Sequence, residues 1–301
     1  MPVCVACNSL DLREFCKYRY DMSDNFFRFC PHLDLYRCQN CGLVQVDHDR
    51  LDLDALTAYY AEAYRGDGHS SAGSAQMRNR RYQRGAGLLR WGAAHIARSP
   101  TRVFEFGAGH LLNMAAAHDL WPEAALFCDD ADADTMSAHT DLAVTRQSLE
   151  SAEGRFDVIL LCHVLEHLKD PAAVLEMIHA HLAPGGVLII EVPNDRPDAV
   201  LRHPVHDPHV TFFTMPTMER FFAAALADRF SVRDITTAGP SLPPPGFQAN
   251  LVQARRYVKR KLVKVLGIDI GNPLTDTASF EAAASDNSRS LLRVVATPLS
   301  A

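Results

Sequence analysis

Residues 103–110 constrain the fold of this 301-residue chain more than any other segment. They read VFEFGAGH: an apolar run containing Glu105 is followed by Gly107 and Gly109, and residues 111–120 then repeat apolar side chains with helical spacing. This pattern predicts a strand, a tight turn and a helix. Glycines let the turn bring main-chain N–H groups close to a ligand, which a Cβ atom would obstruct. The glycine pair alone is not specific, because many turns in α/β proteins look this way.

Downstream of this turn, strand patterns alternate with helix patterns. Helices are predicted at 171–182 and 215–227, and six further strands are predicted at 124–128, 142–145, 156–161, 187–192, 229–236 and 288–298. Together with the strand before the glycines, this order predicts an α/β fold with a Rossmann-like, doubly wound sheet of seven strands that is mainly parallel. Ligands of such sheets bind outside the carboxyl ends of the strands.

Asp129 and Asp130 end the second strand of this predicted sheet, about 20 residues beyond the glycines. A carboxylate at this place can accept hydrogen bonds from both ribose hydroxyls of an adenosine cofactor. The alternative is a helix cap, since Asp is a favoured N-cap residue. The preceding glycines favour the ribose role for Asp129. By position alone, Ser148 and Leu149 are predicted near the adenine.

Two CxxC pairs stand near the N-terminus, Cys4 with Cys7 and Cys38 with Cys41. Two such pairs can form one tetrahedral Zn²⁺ site with four thiolate ligands, as in zinc ribbons. Such a closed site has no open position for water, so we expect a structural role, stabilising a segment too small to fold alone. A redox dithiol and free thiols are the alternatives, and Cys16, Cys30 and His32 are substitute ligands within the spacer.

Composition limits the classes of protein. With 48% hydrophobic and 22% charged residues, the chain lies in the globular range. No apolar run approaches the roughly 20 residues that span a bilayer, and residues 1–10 lack a signal-peptide pattern, so a cytoplasmic protein is expected. The formal net charge of −6 argues against a general nucleic-acid binder.

The run FEFGAG, the acid Asp129 and the long block FDVILLCHVLEHLKDPAAVLEMIHAHLAPGGVLIIEVPN resemble class I S-adenosylmethionine-dependent methyltransferases. The resemblance covers most of residues 101–236. It implies that Glu105 and the turn of Gly107, Ala108 and Gly109 face the methionine part of the cofactor. It also implies that Cys162 and His163 lie on the reacting side, and that the last strand pairs antiparallel with the sixth.

The N-terminal cysteine pairs, followed by CGLVQ and a tyrosine-rich link, resemble the zinc-binding module of the sugar C-methyltransferase group. The chain departs from that group in lacking its additional C-terminal domain, which leaves a sugar acceptor uncertain. In that group a Glu-His pair follows the fifth strand and its His acts as base. His209 matches that His, whereas Pro208 replaces the Glu.

His209 is therefore the first candidate for a general base and His163 the second, with Glu166 or Asp207 as an orienting partner. His209 could instead only anchor its loop. His203, His206, His209 and Asp207 could also form a metal site, although their spacing is that of a loop.

Tyr60 and Tyr64 precede a glycine-rich joint and are predicted to cover the cofactor as part of a lid, with core packing as the alternative. An amphipathic helix at 78–98 is expected to dock the N-terminal module on the main domain. A basic helix is predicted at 251–266, where a solvated face is the ordinary interpretation and a lid or a membrane-surface contact the alternative.

These observations predict three parts: a zinc-binding module at 1–50, a helical linker and lid at 51–100, and a methyltransferase domain at 101–301 with an insertion at 238–287. The predicted function is methyl transfer from S-adenosylmethionine to a small-molecule acceptor in biosynthesis, either a secondary metabolite or a nucleotide-linked sugar. The alternatives are a non-catalytic scaffold and a nicotinamide-dependent oxidoreductase. Leu112 occupies the place of the third glycine that nicotinamide dinucleotide sites usually carry.

Overall fold

A computed structural model describes residues 2–18, 26, 33–64, 75–131, 142–202, 208–242, 278–281 and 283–299. The strands, in chain order, are β1 (Leu12–Lys17), β2 (Asp34–Cys38), β3 (Val44–Val46), β4 (Arg102–Phe106), β5 (Ala125–Asp129), β6 (Val144–Arg146), β7 (Phe156–Cys162), β8 (Leu182–Pro193), β9 (Thr211–Phe212), β10 (Phe230–Ser241) and β11 (Arg289–Pro298). The α-helices are α1 (Leu53–Ala58), α2 (Ala75–Ala93), α3 (Leu112–Leu120), α4 (Pro171–His181), α5 (Pro197–Arg202) and α6 (Met215–Ala225). A π-helical turn, Tyr59–Ala63, continues α1.

The large sheet has seven strands in the order β10-β11-β8-β7-β4-β5-β6. The five strands β8, β7, β4, β5 and β6 are parallel to one another. Strand β11 is antiparallel to both of its neighbours, β8 and β10. Every residue of β7 is buried, as expected for a strand covered by helices on both faces. The predicted Rossmann-like, seven-stranded sheet and the antiparallel last strand are confirmed.

Helix α2 packs on this sheet as part of its core. Leu88 and Leu89 are fully buried in a cluster with residues of α3 and of the central strands. Gly92 allows close packing, because a Cβ atom there would lie 2.4 Å from Cδ1 of Ile189 in β8. Its apolar face is buried against the sheet, and its expected role of docking the N-terminal module on the main domain stays a prediction.

The N-terminal segment forms a second, antiparallel sheet in the order β1-β2-β3-β9. Its last strand comes from the loop after β8, so residues about 170 positions apart in the chain share one sheet. Val44 pairs with Phe212 and Gln45 with Thr211. A third apolar cluster, which includes Phe26, Tyr59 and Phe212, fills the space beneath this small sheet. The pairing therefore ties the cysteine-bearing segment to the main domain.

Several sequence predictions lie outside the described residues. They concern the basic helix at 251–266, much of the 238–287 insertion, Cys30 and His32, and the metal site of His203, His206 and Asp207. Among the helices that are described, none combines the length and apolar character needed to cross a membrane.

Candidate functional site

A cavity of about 640 Å³ opens at the carboxyl ends of β4, β5 and β7. Its walls come from the glycine turn, from α1 and its π-helical continuation, from α2, and from the loops after β7 and β8. Ten of the residues predicted from the sequence line it: Tyr60, Tyr64, Gly107, Ala108, Gly109, Asp129, Asp130, Cys162, His163 and His209.

The turn after β4 is built by glycines in the left-handed region of backbone conformation. Gly107 has φ of 73°, and a Cβ atom there would lie 2.4 Å from Cγ2 of Val164. Gly109 has φ of 51°, but a Cβ atom there would meet nothing within 4 Å. Gly107 is therefore required by packing, whereas the space beside Gly109 is open to a ligand.

Glu105 lies buried behind this turn, with no exposed surface. Its Oε1 accepts a hydrogen bond of 2.6 Å from Nδ2 of Asn113, whereas Oε2 has no hydrogen-bond partner among the described residues. Burial, with the nearby Asp130 charge, raises the pKa of Glu105 to about 8. An unpaired carboxylate oxygen of this kind suits a cationic ligand group such as an ammonium.

Asp129 and Asp130 have different contacts at the end of β5. The carbonyl of Asp129 accepts hydrogen bonds from the N–H groups of Gly107 and Ala108, at 2.9 and 3.1 Å. The carboxylate of Asp130 accepts one of 2.7 Å from the N–H of Gly109. Burial raises the pKa of Asp129, whose side chain also borders the cavity. The acidic pair thus fixes the turn and faces the cavity, and the predicted helix-cap role falls on 132–141, outside the described residues.

Ser148 and Leu149, predicted near the adenine, are not among the cavity-lining residues. Leu149 is fully buried in the core cluster on the other face of the sheet. The adenine-side role of these two residues stays a prediction.

His209 also lines the cavity, with 6% of its surface exposed. Its Nδ1 lies 3.0 Å from Oδ2 of Asp195, and its Nε2 lies 4.0 Å from Oε1 of Glu166. Its main-chain carbonyl accepts a hydrogen bond of 2.8 Å from Tyr18 Oη. Asp195 is therefore the residue that orients the His209 ring, a role that the sequence had offered to Glu166 or Asp207.

His167 adjoins His209, with ring centroids 5.0 Å apart. Its Nδ1 lies 2.8 Å from Tyr60 Oη and 3.2 Å from the carbonyl of Pro208, and its Nε2 lies 3.8 Å from Oε1 of Glu166. Tyr60 and Tyr64 pack edge to face, with centroids 5.2 Å apart. The tyrosines therefore both line the cavity and support this histidine.

His163, which also lines the cavity, contacts a network of buried polar side chains. His163 has φ of 56°, a strained conformation for a residue with a side chain. Its Nε2 lies 3.5 Å from Oε1 of Glu191, and its Nδ1 lies 3.5 Å from Oε1 of Glu166. Burial and the Arg84 charge lower the pKa of His163. The ring is thus held neutral at neutral pH, as a base requires.

Glu191 is fully buried, and burial alone would raise its pKa. The charge of Arg293, the adjacent His163 ring and the charge of Arg84 instead lower it to about 2. Arg293 Nε lies 2.8 Å from Oε2 of Glu191, and Arg84 Nε lies 3.3 Å from Oε1. Arg84 also borders the cavity. A guanidinium is therefore available on the wall beside the glycine turn.

Sequence reasoning missed Asn113, Arg84 and Asp195. Asn113 was detectable as a polar side chain among the apolar residues that open α3, and only 8% of its surface is exposed. Arg84 and Asp195 carry no local signal, because only folding brings α2 and the end of β8 to the cavity.

The four predicted metal-binding cysteines converge at the edge of the small sheet. Their sulfur atoms all lie within 4.8 Å of one another, with Cys4 Sγ 3.5 Å from Cys41 Sγ and Cys7 Sγ 3.7 Å from Cys38 Sγ. Sulfur atoms bound tetrahedrally to one Zn²⁺ at about 2.3 Å are separated by about 3.8 Å. The donor set and its spacing therefore fit a four-thiolate zinc ion. Cys16, a substitute ligand in the sequence prediction, is not part of this cluster.

Comparison with known proteins adds independent information. A family model described as a methyltransferase domain matches residues 77–225. The ubiquinone biosynthesis O-methyltransferase of Pseudomonas paraeruginosa is 38% identical over 55 residues, which are 18% of this chain and 24% of that protein. The enzyme of the same name from Psychrobacter cryohalolentis is 42% identical over 48 residues, 16% of this chain and 19% of that protein. The matches thus span about a quarter of the curated relatives or less.

Among solved structures, the plantazolicin methyltransferase BpumL in complex with SAH superposes with a TM-score of 0.54 at 13% identity. The superposition covers 80% of this chain and 93% of that one. At this identity the likeness shows a shared fold, and the likeness to the sugar C-methyltransferase group stays a prediction. Residues 77–225 therefore match a methyltransferase-domain model, and the chain shares the fold of a solved methyltransferase.

Proposed function

We propose that this protein transfers a methyl group from S-adenosylmethionine to a small-molecule acceptor, whose proton is taken by His209. The observation that carries the proposal is the layout of one cavity. Its wall includes both the glycine turn, behind which the half-satisfied carboxylate of Glu105 is buried, and the carboxylate-oriented imidazole of His209. The names of the matched relatives and of the superposed structure support the same chemistry.

Four side chains fit the parts of the cofactor. Oε2 of Glu105 would accept a hydrogen bond from the amino-acid ammonium, and Arg84 would pair with the carboxylate. Asp129 would accept hydrogen bonds from the ribose hydroxyls, and the open space beside Gly109 would admit the cofactor close to the backbone. Bound there, the cofactor supplies an electrophilic methyl group to whatever occupies the rest of the cavity.

The protein's remaining task is to align the acceptor and to remove one proton from it. Because a carboxylate oxygen only accepts hydrogen bonds, Asp195 holds the proton of the neutral His209 ring on Nδ1. The lone pair of the neutral ring is then on Nε2, which in this proposal takes the acceptor's proton. Removing an acceptor proton in this way contributes typically 10²–10⁴-fold to a rate.

The acceptor types that we propose are a secondary metabolite and a nucleotide-linked sugar. Their shared requirement is an acidic group that reaches His209 past the aromatic wall of Tyr60 and Tyr64. The O-methyltransferase names of the matched relatives support an oxygen acceptor.

We also propose that Cys4, Cys7, Cys38 and Cys41 hold a structural Zn²⁺. Their number and their sulfur–sulfur distances support a closed tetrahedral site, which has no position for a reacting water. Metal analysis of the purified protein should find one zinc per chain. Absence of zinc, with all four thiols open to alkylation, would rule the site out.

The functional proposal is tested by separating turnover from cofactor binding. His209→Asn should lower turnover by about 100-fold or more and leave SAH affinity within about twofold, since in this proposal the ring contacts the acceptor and not the cofactor. Asp195→Asn should lower turnover less, because it removes only the partner of Nδ1. Failure of the wild-type protein to bind S-adenosylmethionine or SAH in calorimetry would instead favour a scaffold, and unchanged turnover of His209→Asn would remove His209 from the mechanism.

A further inference from the structure

Three side chains of types that bind metal ions lie together in the wall of the cavity around His209. They are separate from the cluster of four cysteines. One potential ligand atom from each of Glu166, His167 and His209 lies within 4.8 Å of the other two. Glu166 is 1% exposed, and the two histidines stand between it and the cavity. The sequence prediction of a metal site also included His209, but it combined His209 with His203, His206 and Asp207, and neither Glu166 nor His167 belonged to it.

The distances within this trio are too long for hydrogen bonds and short enough for a shared ion. Nε2 of His167 and Nε2 of His209 lie 3.8 and 4.0 Å from Oε1 of Glu166. Hydrogen bonds between nitrogen and oxygen rarely exceed about 3.2 Å. Two atoms bound tetrahedrally to one Zn²⁺ at about 2.0–2.2 Å each are separated by about 3.3–3.6 Å. An ion therefore fits between these atoms if the side chains move together by roughly half an ångström.

The outer contacts of both rings point the same way. Nδ1 of His209 lies 3.0 Å from the carboxylate of Asp195, and Nδ1 of His167 lies 3.2 Å from the carbonyl of Pro208. The Asp195 carboxylate only accepts hydrogen bonds, so the neutral His209 ring carries its proton on Nδ1 and its lone pair on Nε2. Nδ1 of His167 also has Tyr60 Oη at 2.8 Å, and a hydroxyl and a carbonyl oxygen can both accept from it, so both neighbours of Nδ1 are compatible with the same tautomer of His167. Histidines that bind metals are oriented in this way, with one nitrogen on the metal and the other donating to a carboxylate or a carbonyl.

We propose that Glu166, His167 and His209 form a second metal site, which binds one divalent first-row transition-metal ion. Two imidazoles and one carboxylate suit ions such as Zn²⁺, Co²⁺ or Fe²⁺, and three protein ligands leave positions that face the cavity. The open side distinguishes this site from the closed four-thiolate cluster. Metal binding here does not depend on the proposed methyl transfer.

An ion at this site changes what His209 does. It occupies the Nε2 lone pair, so His209 acts as a base in the metal-free protein and as a ligand in the metal-bound one. An acceptor oxygen that coordinated the ion would release its proton to solvent water more readily, because the ion's charge would lower the acceptor's pKa. In this proposal, the metal-free and the metal-bound protein both promote loss of a proton from the same acceptor atom.

The test uses Co²⁺ as the probe and zinc-loaded, full-length protein. Equilibrium dialysis should show one added equivalent of Co²⁺ per chain while the zinc content stays constant, with visible d–d bands but no near-ultraviolet thiolate charge-transfer band. No added Co²⁺, or Co²⁺ that appears only as zinc is lost, would overturn the proposal.

Variants locate the ion. Glu166→Gln, which keeps the shape of a ligand and removes its charge, should weaken Co²⁺ binding at least tenfold. Asp195→Asn, outside the ligand set, should weaken it about 10–100-fold through the lost support of His209. His179→Asn is the matched control, since His179 lies on α4 with Nε2 3.3 Å from the carbonyl of Leu299. Circular dichroism should confirm that each variant is folded, and equal Co²⁺ affinity in folded Glu166→Gln and wild type would overturn the assignment. SAH calorimetry on the same samples keeps this test separate from that of the proposed function.

Discussion

Glu105 is a residue at which the stability of the empty protein and cofactor binding oppose each other. Its pKa is about 8 in the folded chain, against 4.5 for an exposed Glu, because burial disfavours its charge. The folded protein therefore holds an extra proton between these two pH values. The contribution of Glu105 to the free energy of unfolding is most favourable below pH 4.5. As pH rises towards 8, this contribution decreases by roughly 1.4 kcal/mol per pH unit.

Glu105→Gln removes this charge and should flatten that pH dependence. At pH about 8 the ligand-free variant should unfold at a higher temperature than the wild type. Its SAH affinity should fall about 10–100-fold, because a charge-assisted hydrogen bond to the ammonium is lost. Thermal unfolding over a pH series, together with calorimetry, checks both effects. Parallel pH curves for the two proteins would show that Glu105 does not titrate in this range.

The two turn glycines should separate stability from binding. Gly107→Ala places a Cβ atom 2.4 Å from Val164 and strains a backbone with φ of 73°, so we expect a loss of about 2–4 kcal/mol in the free energy of unfolding. Gly109→Ala, in open space, should cost only about 1 kcal/mol but weaken SAH binding more. Denaturant unfolding and SAH titration of both variants make the comparison. Equal losses of stability would contradict it.

At the scale of elements, the pairing of β3 with β9 connects the four cysteines to His209. Gln45 in β3 accepts a hydrogen bond of 2.9 Å from the N–H of Val5 and pairs with Thr211 in β9. The N–H of Val46 bonds to the carbonyl of Val210, next to His209, at 3.0 Å. The small sheet therefore connects the segment that carries the four cysteines to the strand next to His209, the candidate base.

Removing metal from the four cysteines should therefore disturb the base before the cofactor site. Chelation should lower turnover on the order of 100-fold, since a misplacement of about 1 Å can have that effect, while SAH affinity changes little. Added zinc should restore turnover. Cys16→Ser, in β1 and outside the cluster, is the control and should keep both zinc and turnover. An equal loss of SAH binding on chelation would indicate general unfolding instead.

At the scale of the whole molecule, Arg293 and Glu191 join the antiparallel strand β11 to the parallel part of the sheet. Both side chains are almost completely buried, and Nη1 of Arg293 also donates to the carbonyl of Phe280 at 2.8 Å. Because its charged partners lower the pKa of Glu191 to about 2, this carboxylate stays ionised in the core. Its stabilising contribution is present above pH 4.5 and is lost as pH falls towards 2.

Arg293→Met should lower the free energy of unfolding by about 3–5 kcal/mol, since it leaves a buried carboxylate without its main partner. The double variant Glu191→Gln with Arg293→Met should recover part of that loss, because the unpaired charge is gone. Denaturant unfolding of the single and double variants tests this. A double variant as unstable as the sum of its single changes would show that the two groups do not interact.

The sequence alone determined the features that depend on neighbours in the chain. The glycine turn, the strands and helices of the large sheet, and the cysteine pairs follow from local periodicity and spacing. Even the convergence of Asp129, His163 and the glycines was predictable, because parallel strands end at one edge of a sheet. Local patterns could not fix boundaries, however, and β8 begins five residues before the predicted start at 187.

Only the tertiary structure decided which groups touch across separate elements. Asp195 orients His209, Arg84 reaches the cavity from α2, and Glu166, His167 and His209 surround one point, because folding brings together loops that are distant in the chain. The same folding joined β9 to the cysteine-bearing sheet. These contacts depend on packing in three dimensions, for which a single sequence carries no periodic signal. The sequence therefore determined the glycine turn, where we propose that the cofactor binds. The tertiary structure determined the surroundings of His209, where we propose that the acceptor binds.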